Sequence, residues 1–458
     1  MGSEAIRQIE EIFHPRSIAV VGASNRVGKF SRFFMENLVE AGFPNLYPIN
    51  PNEKNIIGFA AFPNVAQVPG EVDLAILVTP PEVVVQAVAD CAEKGVKGII
   101  IYTSGFGEQS EKGRQLEREM VDIARSRGTR IIGPNCMGVY CPASRLTPFQ
   151  GLPKERGKVG MISHSGSLIN LIGRAAGAKG ICFSKMASCG NECDLTATDF
   201  LEYLGQDSET KVIIAYLEGV KDGRRFFQLA RTISPSKPII VWKGGTTQRG
   251  SKAAASHTGA LAGSASAWRI MFRQTGIIEV KSAEELIDCL LAFYHLSLPQ
   301  GNRVVVMSGP GGPAVATSDA CVELGLEMAE ISYKAKERVA EFLLPVGTVI
   351  GNPMDLGMGS VFVPEFYRDT LRALADEADI DMFLIIGGEN PRFTRIISEA
   401  YSMVNKPLIV AMTDSPDMVP EEYRFLLDCG IPVYPDGRRA ANALAKLAHY
   451  AEFRKNVD

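Results

Sequence analysis

Short runs of aliphatic and β-branched residues recur along the chain, and each is followed by a glycine or polar turn and then by a segment with apolar residues at helical spacing. This alternation of strand and helix predicts a parallel, doubly wound sheet of the α/β class. In the first third of the chain it predicts helices near 30–41 and 82–94 and strands at 16–22, 46–49, 73–78, 98–102 and 130–132.

Two polar segments, 151–157 and 297–302, interrupt the alternation and are typical of linkers. Between and after them, strands are predicted at 158–163, 212–217, 238–241, 303–307, 382–386 and 408–412. The pattern therefore predicts three α/β domains, at 1–150, 151–298 and 299–458.

One stretch, Trp242 to Gly263, follows the strand at 238–241 and has no periodicity. It is rich in Gly, Ala, Ser and Thr around a single histidine, His257. Such a segment is typical of a mobile surface loop. Because imidazole is a good nucleophile near neutral pH, we expect His257 to carry a group, specifically phosphoryl, between two sites. The alternative is a solvated histidine without a role.

The carboxyl ends of strands are where such sheets bind ligands. The first loop, Gly22 to Phe30, contains two cations, Arg26 and Lys29, before a predicted helix. It has neither the Walker A spacing nor the G-x-G-x-x-G spacing of dinucleotide sites. It predicts a site for a phosphate-bearing nucleotide; the alternative is a simple strand–helix turn.

Two later turns also precede helices, at Ser165–Ser167 and Gly309–Gly312, and each could seat an anion. Glu218 follows the strand at 212–217, so Glu218 and His257 are expected at the same edge of one sheet. A carboxylate that hydrogen-bonds one imidazole nitrogen leaves the other free to attack. The alternative for Glu218 is a helix N-terminal cap.

Composition narrows the class of protein. The chain has 458 residues and a net charge of −4 without a basic block, so nucleic acid is not expected as a partner. It has neither an apolar run of membrane-spanning length nor a signal pattern, and its nine cysteines fit reduced thiols, so a cytoplasmic protein is expected. Cys189 and Cys193 lack a second Cys or His pair, and no metal site is predicted.

Four motifs occur in an order that resembles a known family: 13–24 (FHPRSIAVVGAS), 133–138 (GPNCMG), 163–168 (SHSGSL) and 256–259 (SHTG). They resemble the α subunit of ADP-forming acyl-CoA synthetases, relatives of succinyl-CoA synthetase, with the acetate-type enzyme as the nearest match. The resemblance extends over nearly the whole chain. It implies a Rossmann-like CoA-binding domain followed by two flavodoxin-like domains with parallel sheets.

The resemblance also implies roles for individual residues. His257 matches the phosphorylated histidine and Glu218 the glutamate that supports it. Phosphate contacts are implied for the two helix starts, at Ser165, Gly166, Ser167, Gly309, Gly311 and Gly312. Contacts to coenzyme A are implied for two turns, at Gly22, Ser24, Asn25, Arg26, Val27, Lys29, Thr103, Ser104 and Gly105.

The implied reaction converts acyl-CoA, phosphate and ADP into a carboxylic acid, ATP and CoA. The chain has no ATP-grasp domain, so the resemblance implies a separate β subunit that binds ADP or ATP with Mg²⁺, in an α2β2 complex. Asn170 stands where succinyl-CoA synthetase has a tyrosine near its substrate, which argues against succinate.

Two other functions remain open at this point. A non-catalytic sensor of CoA or acyl-CoA would use the first domain alone, but it would need neither the His257 loop nor Glu218. An NAD-dependent oxidoreductase disagrees with the spacing of the first glycine loop, although Glu53 lies near the position of a ribose-binding carboxylate.

Overall fold

A computed structural model describes residues 2–251, 264–309, 311–343, 346–388 and 390–457. The chain forms two compact units, Met1–Lys281 and Ser282–Asp458. Within the described residues, three large sheets are present, two in the first unit and one in the second. No helix in these ranges combines the length and the apolar character required to cross a membrane.

The first sheet has the strand order β2-β1-β5-β6-β7, and all of its pairs are parallel. Helices alternate with the strands along the chain, as expected for a doubly wound sheet. The elements of this region are α1 (Gly2–Phe13), β1 (Ile18–Val21), α2 (Phe30–Glu40), β2 (Leu46–Ile49), β3 (Asn55–Ile56), β4 (Phe59–Ala60), a 3₁₀ turn (Val65–Gln67), β5 (Leu74–Leu77), α3 (Pro81–Glu93), β6 (Gly98–Ile101), α4 (Glu111–Ser126) and β7 (Arg130–Ile132).

The second sheet has the order β13-β12-β11-β9-β10-β8, in which only the edge strand β8 is antiparallel. Its elements are β8 (Gly138–Tyr140), a 3₁₀ turn (Pro142–Ser144), β9 (Val159–Ser163), α5 (Gly166–Gly177), β10 (Phe183–Ser188), α6 (Ala197–Gln206), β11 (Val212–Leu217), α7 (Gly223–Ile233), β12 (Ile239–Lys243), α8 (Ala265–Thr275) and β13 (Ile278–Val280).

Helix packing joins these two sheets into one unit. Phe13 of α1 is buried and stacks on Tyr203 of α6 with ring centroids 5.2 Å apart, and it meets Phe200 edge-on at 6.2 Å. Ile9 and Ile12 of α1 belong to the same buried cluster. This continuous cluster packs α1, next to the first sheet, against α6, next to the second.

The second unit contains one sheet of order β15-β14-β17-β18-β19, with β16 paired to β14. Its elements are α9 (Ala283–His295), β14 (Arg303–Ser308), α10 (Gly311–Glu323), β15 (Glu327–Met328), α11 (Tyr333–Ala340), β16 (Met354–Asp355), α12 (Gly359–Phe362), α13 (Glu365–Leu374), β17 (Met382–Gly387), α14 (Pro391–Tyr401), β18 (Leu408–Met412), α15 (Pro420–Asp428), β19 (Val433–Tyr434) and α16 (Gly437–Lys455).

The predicted α/β class with parallel sheets is confirmed. The division into domains 1–150, 151–298 and 299–458 stays a prediction; the boundary between compact units falls at Lys281 and Ser282, so α9 lies in the second unit. The stretch that starts at Trp242 was expected to be a loop without regular structure. Instead β12 extends to Lys243, and residues 248–251 are helical.

An arginine–aspartate clamp recurs at the amino ends of two sheets. Arg303, at the start of β14, donates from its main-chain N and its Nε to Asp381 Oδ2 at 3.0 and 2.8 Å, and from a terminal nitrogen to Oδ1 at 3.1 Å. Arg16 binds Asp73 through the same three donors, before β1 and β5. Hydrogen bonds from Arg16 hold the pKa of Asp73 below its ordinary value. Each clamp ties the starts of two adjacent strands together.

Asp381→Asn is expected to destabilise the second unit by about 1.5–3 kcal/mol at neutral pH, because a charged hydrogen-bonded pair is lost. Burial alone would raise the pKa of Asp381, but hydrogen bonds from Arg303 outweigh it and hold that pKa below its ordinary value. A lowered carboxyl pKa stabilises the folded state above the unfolded value and loses this effect as the pH falls through the folded value. The difference between parent and variant in chemical unfolding should therefore shrink below about pH 4.

Asp379→Asn is the matched control for this experiment. Asp379 also pairs with Arg303, at 2.6 Å, but its side chain is 75% exposed. Exposed pairs contribute roughly 0–1 kcal/mol, so this variant should unfold close to the parent. Equal losses in the two variants would contradict a special role for the buried clamp.

Candidate functional site

The first turn, between β1 and α2, requires a glycine at its start. Gly22 has φ +87°, and a Cβ there would lie 2.5 Å from the main-chain oxygen of Val78. Only glycine fits both conditions without moving the backbone. The turn is therefore pressed against the end of β5, at the carboxyl edge of the first sheet.

A network of hydrogen bonds fixes the rest of this turn. Ser24 Oγ donates to Glu53 Oε1 at 3.2 Å, and the side-chain amide of Asn25 donates to Glu53 Oε2 at 2.6 Å. Arg26 N–H donates back to Ser24 Oγ at 3.2 Å. Glu53 is thus engaged in holding the turn, so a ribose hydroxyl would have to compete with Ser24 and Asn25 for its oxygens.

Cations flank the start of α2. Arg26, Val27 and Lys29 are exposed, and Lys29 is the residue that precedes the first turn of the helix. Neither Arg26 nor Lys29 forms an ion pair within the described ranges. Two free cations beside a helix N-terminus favour the binding of phosphate groups.

The second turn predicted to contact the cofactor follows β6. Thr103 Oγ1 donates to the carbonyl of Thr79 at 2.6 Å, which braces this turn against the end of β5. Gly105 has φ +108°, and its N–H donates to Glu108. Ser104 between them is exposed and lines a cleft.

This cleft has a volume of about 1360 Å³ and brings the edges of both sheets of the first unit together. The side from the first sheet includes Phe30 and Ser104, and the opposite side is the face of α5. Ser165, Gly166 and Ser167 lie at the start of that helix and line the cleft. Ser165 Oγ accepts a hydrogen bond from Leu168 N–H at 3.3 Å, so it caps the helix.

Glu218 follows β11 immediately and is 7% exposed. Tyr216 donates its hydroxyl to Glu218 Oε1 at 3.2 Å. The second carboxylate oxygen, Oε2, is buried and has no hydrogen-bond partner among the described residues. Because a buried carboxylate oxygen without a partner is unfavourable, this atom is a candidate acceptor for a group supplied from elsewhere.

Lys243 lies at the end of β12, beside β11. Its Nζ donates to the main-chain oxygen of Glu218 at 2.8 Å and lies 5.1 Å from the ring centroid of Trp268. Burial lowers the pKa of Lys243 to about 8, although the charge of Glu218 partly opposes the shift. Lys243 therefore fixes the main chain of Glu218 and adds little permanent charge near the carboxylate at alkaline pH.

His164, between β9 and α5, is 3% exposed and both of its ring nitrogens are engaged. Its Nδ1 accepts a hydrogen bond from the main-chain N–H of Glu218 at 2.9 Å. Its Nε2 lies 3.0 Å from Glu192 Oε1 and is the donor in this pair, since Nδ1 is an acceptor. Burial opposes ionisation of Glu192, but His164, Ala197 N–H and Lys221 together hold the pKa of this carboxyl below its ordinary value.

The third predicted turn lies in the second unit, between β14 and α10. A Cβ at Gly309 would lie 2.5 Å from Ser360 Oγ, and one at Gly311 would lie 2.6 Å from Asp355 Oδ2. A Cβ at Gly312 would meet no atom within 4 Å. Gly311 and Gly312 were predicted to lie in the turn before the helix, but they are the first two residues of α10, which follows β14 at the carboxyl edge of the sheet.

The structure thus brings together Ser104 and Ser165–Ser167 in one cleft, and it links that cleft to Glu218 through His164. The turn Gly22–Lys29 adjoins the cleft at Phe30. Gly309, Gly311 and Gly312 belong to the other unit. His257 and its neighbours Ser256, Thr258 and Gly259 lie outside the described residues. Among the residues that are described, no group of three or more His, Cys, Asp or Glu side chains is placed to hold a metal ion.

Three residues of the site were not predicted from the sequence: Glu192, Tyr216 and Lys243. His164 was named there only as part of a motif. Glu192 lies 28 positions after His164 and adopts φ +55°, a left-handed conformation without a sequence signal in a glutamate. Tyr216 lies within a strand pattern and is typical of a core residue, whereas Lys243 lies in the stretch after residue 241 that was expected to be a loop. Only the strand order, which places β9, β11 and β12 side by side, reveals that they converge.

Three family models match the chain in succession. The one described as "CoA binding domain" matches residues 16–142, the "Succinyl-CoA ligase like flavodoxin domain" matches 156–293, and the "Ligase-CoA domain" matches 304–451. Together these matches account for most of the chain.

Two relatives align with nearly the whole length of the chain. The chain is 39% identical to the α subunit of acetate–CoA ligase [ADP-forming] II of Pyrococcus furiosus, over 98% of each chain. It is 36% identical to acetate–CoA ligase [ADP-forming] I of Archaeoglobus fulgidus, over 97% of this chain but only 64% of that protein. Among solved structures, the dinucleotide-forming acetyl-coenzyme A synthetase 1 of Ca. Korarchaeum cryptofilum, in complex with phosphate and ADP, aligns with a TM-score of 0.89 at 33% identity, over 98% of both chains.

Proposed function

Because this chain belongs to the family of ADP-forming acyl-CoA synthetases, we propose that it is the α subunit of an acetate–CoA ligase of this type. It would convert acyl-CoA, phosphate and ADP into a carboxylic acid, ATP and CoA. Phosphate displaces CoA from the thioester, as the C–S bond breaks and an acyl phosphate forms. A ring nitrogen of His257 then attacks phosphorus, and the P–O bond to the acyl group breaks to release the carboxylate.

The first turn would bind the phosphates of coenzyme A. Arg26 and Lys29 supply exposed cations, and Ser24 and Asn25 hold the backbone of the turn through Glu53. Gly22 allows the close approach of the backbone, and Val27 adds exposed apolar surface (86%). Thr103, Ser104 and Gly105 would contact CoA where it enters the cleft. Acyl-CoA bound in this way would place its thioester carbonyl at the start of α5.

The start of α5 would bind the phosphate and then the transferred phosphoryl group. Ser165, Gly166 and Ser167 line the cleft there, and the helix N-terminus favours negative charge by about 0.3–1 kcal/mol at an exposed site. This position is shared by the incoming phosphate, the acyl phosphate and phosphorylated His257. A common seat keeps the phosphorus atom in place while its bonding partner changes.

The single observation that carries the proposal is the unpartnered, buried Glu218 Oε2. A carboxylate oxygen there would accept the N–H of the His257 ring, fix its tautomer and leave the opposite nitrogen free to attack. It would also stabilise the positive charge that the ring acquires as the N–P bond forms. A protein that only sensed CoA would gain nothing from a buried carboxylate held in this way.

The second half of the reaction needs a partner. We propose a β subunit with an ATP-grasp domain that binds ADP with Mg²⁺, in an α2β2 complex in the cytoplasm. The turn at Gly309, Gly311 and Gly312 would provide a second helix N-terminus for phosphorylated His257 on its way to ADP. An oxygen of ADP then attacks phosphorus, the P–N bond breaks, and ATP is released.

The test uses the purified chain with acetyl-CoA, ³²P-phosphate and Mg²⁺. We expect label on the protein that is labile to acid and stable to base, as a phosphohistidine is. The chain alone should form no ATP from ADP, whereas addition of the β subunit should discharge the label into ATP. Tight CoA binding without any label, both alone and with the β subunit, would refute the ligase function and favour the sensor.

A further inference from the structure

We propose that His164 is a positioning residue for Glu218, which acts through its main chain and not on the substrate. This inference rests on the proposed function of Glu218. His164 follows β9 and Glu218 follows β11, and these strands are neighbours in the second sheet.

The imidazole of His164 continues the hydrogen bonding between β9 and β11 past the ends of these strands. The main-chain N–H of His164 donates to the carbonyl of Tyr216 at 3.1 Å, as in a regular parallel pair. The N–H of Glu218 then donates to His164 Nδ1 at 2.9 Å. The side chain of His164 therefore determines where the main chain of Glu218 lies after it leaves the strand.

The Nε2 side of the His164 ring is anchored independently of Glu218. His164 Nε2 donates to Glu192, which is 4% exposed. Glu192 Oε1 also accepts the N–H of Ala197 at 2.5 Å, at the start of α6, and its carbonyl accepts a hydrogen bond from Lys221 Nζ at 2.5 Å. A carboxylate fixed at both its side chain and its main chain holds the ring in one orientation and one tautomer.

All polar groups of Glu218 but one are held by hydrogen bonds. Its N–H is bound by His164, its carbonyl by Lys243 and its Oε1 by Tyr216. Only Oε2 remains for a ligand. Because the acceptor for a reacting group must be held within a fraction of an ångström, loss of the bond to His164 should slow the chemical step more than it weakens substrate binding.

The experiment measures the rate of label transfer from ³²P-phosphate and acetyl-CoA to the chain under single-turnover conditions. His164→Leu removes both hydrogen bonds and should slow transfer about 10–100-fold, with the half-saturating phosphate concentration changed less than about threefold. His164→Gln can accept at one terminal atom and donate at the other, so it should stay within about threefold of the parent.

A double-mutant cycle with Glu218→Gln separates positioning from a general structural role. If His164 acts through Glu218, His164→Leu should slow transfer by less than about threefold further in the Glu218→Gln background. Thermal unfolding of each variant checks its fold. If His164→Leu is poorly folded, His164→Phe serves instead, since its ring fills the space of the imidazole but neither accepts from Glu218 N–H nor donates to Glu192.

Equal slowing by His164→Leu in both backgrounds, or a His164→Gln variant as slow as His164→Leu, would overturn this inference while label on the parent chain left the proposed function standing. A parent chain that takes no label, even with the β subunit, would overturn both. The two failures are therefore distinguished by the parent chain itself.

Discussion

His257→Asn is expected to abolish the acid-labile label from ³²P-phosphate, with a decrease in transfer rate of at least about 10⁴-fold, since the amide side chain of asparagine has no nucleophilic nitrogen to replace the imidazole. The chain has five histidines, so loss of label in this variant alone identifies the acceptor. His164 is excluded as an acceptor by geometry: it is buried, and Glu192 and Glu218 N–H occupy its two ring nitrogens.

His449→Asn is the control for this experiment. His449 is exposed on α16 in the second unit, and no role in the reaction is proposed for it. The His449→Asn variant should therefore take up label at the same rate as the parent chain. Label that persists in His257→Asn and disappears in another histidine variant would assign the phosphorylation to that other histidine. It would also leave no basis for a His257 that moves between two sites.

Much of the fold could be predicted because periodicity alone determines it. Apolar runs such as Ile18–Val21 and Leu74–Leu77 are buried along their whole length or nearly so, as strands in parallel sheets are. The glycine turn after Ile18–Val21 and the serine turn after Val159–Ser163 fall where predicted, at Gly22 and at Ser165. Glu218 was found by the same rule, since it is the first residue past a strand's carboxyl end.

What could not be predicted depends on contacts between residues distant in sequence. Glu192 reaches His164 through a left-handed backbone conformation that nothing in a glutamate side chain signals. Lys243 lies in the stretch that was expected to be a loop, and its contact with the Glu218 carbonyl exists only because β12 extends to it and is adjacent to β11. The helix Ala283–His295 has an ordinary amphipathic pattern, so its assignment to the second unit could not be read from its own residues.

Gly22→Ala should weaken CoA binding by at least about tenfold, which corresponds to about 1.4 kcal/mol, and should also lower the stability of the first unit. The φ of +87° at Gly22 disfavours any side chain by about 1 kcal/mol. In addition, the new Cβ would lie 2.5 Å from the main-chain oxygen of Val78, a rigid neighbour at the end of β5. Because the backbone must move to relieve this overlap, Arg26 and Lys29 would be displaced with it. Titration calorimetry with CoA and thermal unfolding measure the two effects.

Gly70→Ala separates the two causes. Gly70 has almost the same φ, +82°, but a Cβ there meets no atom within 4 Å, and the residue is exposed outside the turn. Its variant should therefore lose a similar amount of stability from backbone strain while its affinity for CoA stays within about twofold of the parent. If Gly22→Ala bound CoA as well as Gly70→Ala does, the approach of the turn to Val78 would have no part in holding the cofactor, and the placement of CoA on the carboxyl edge of the first sheet would have to be abandoned.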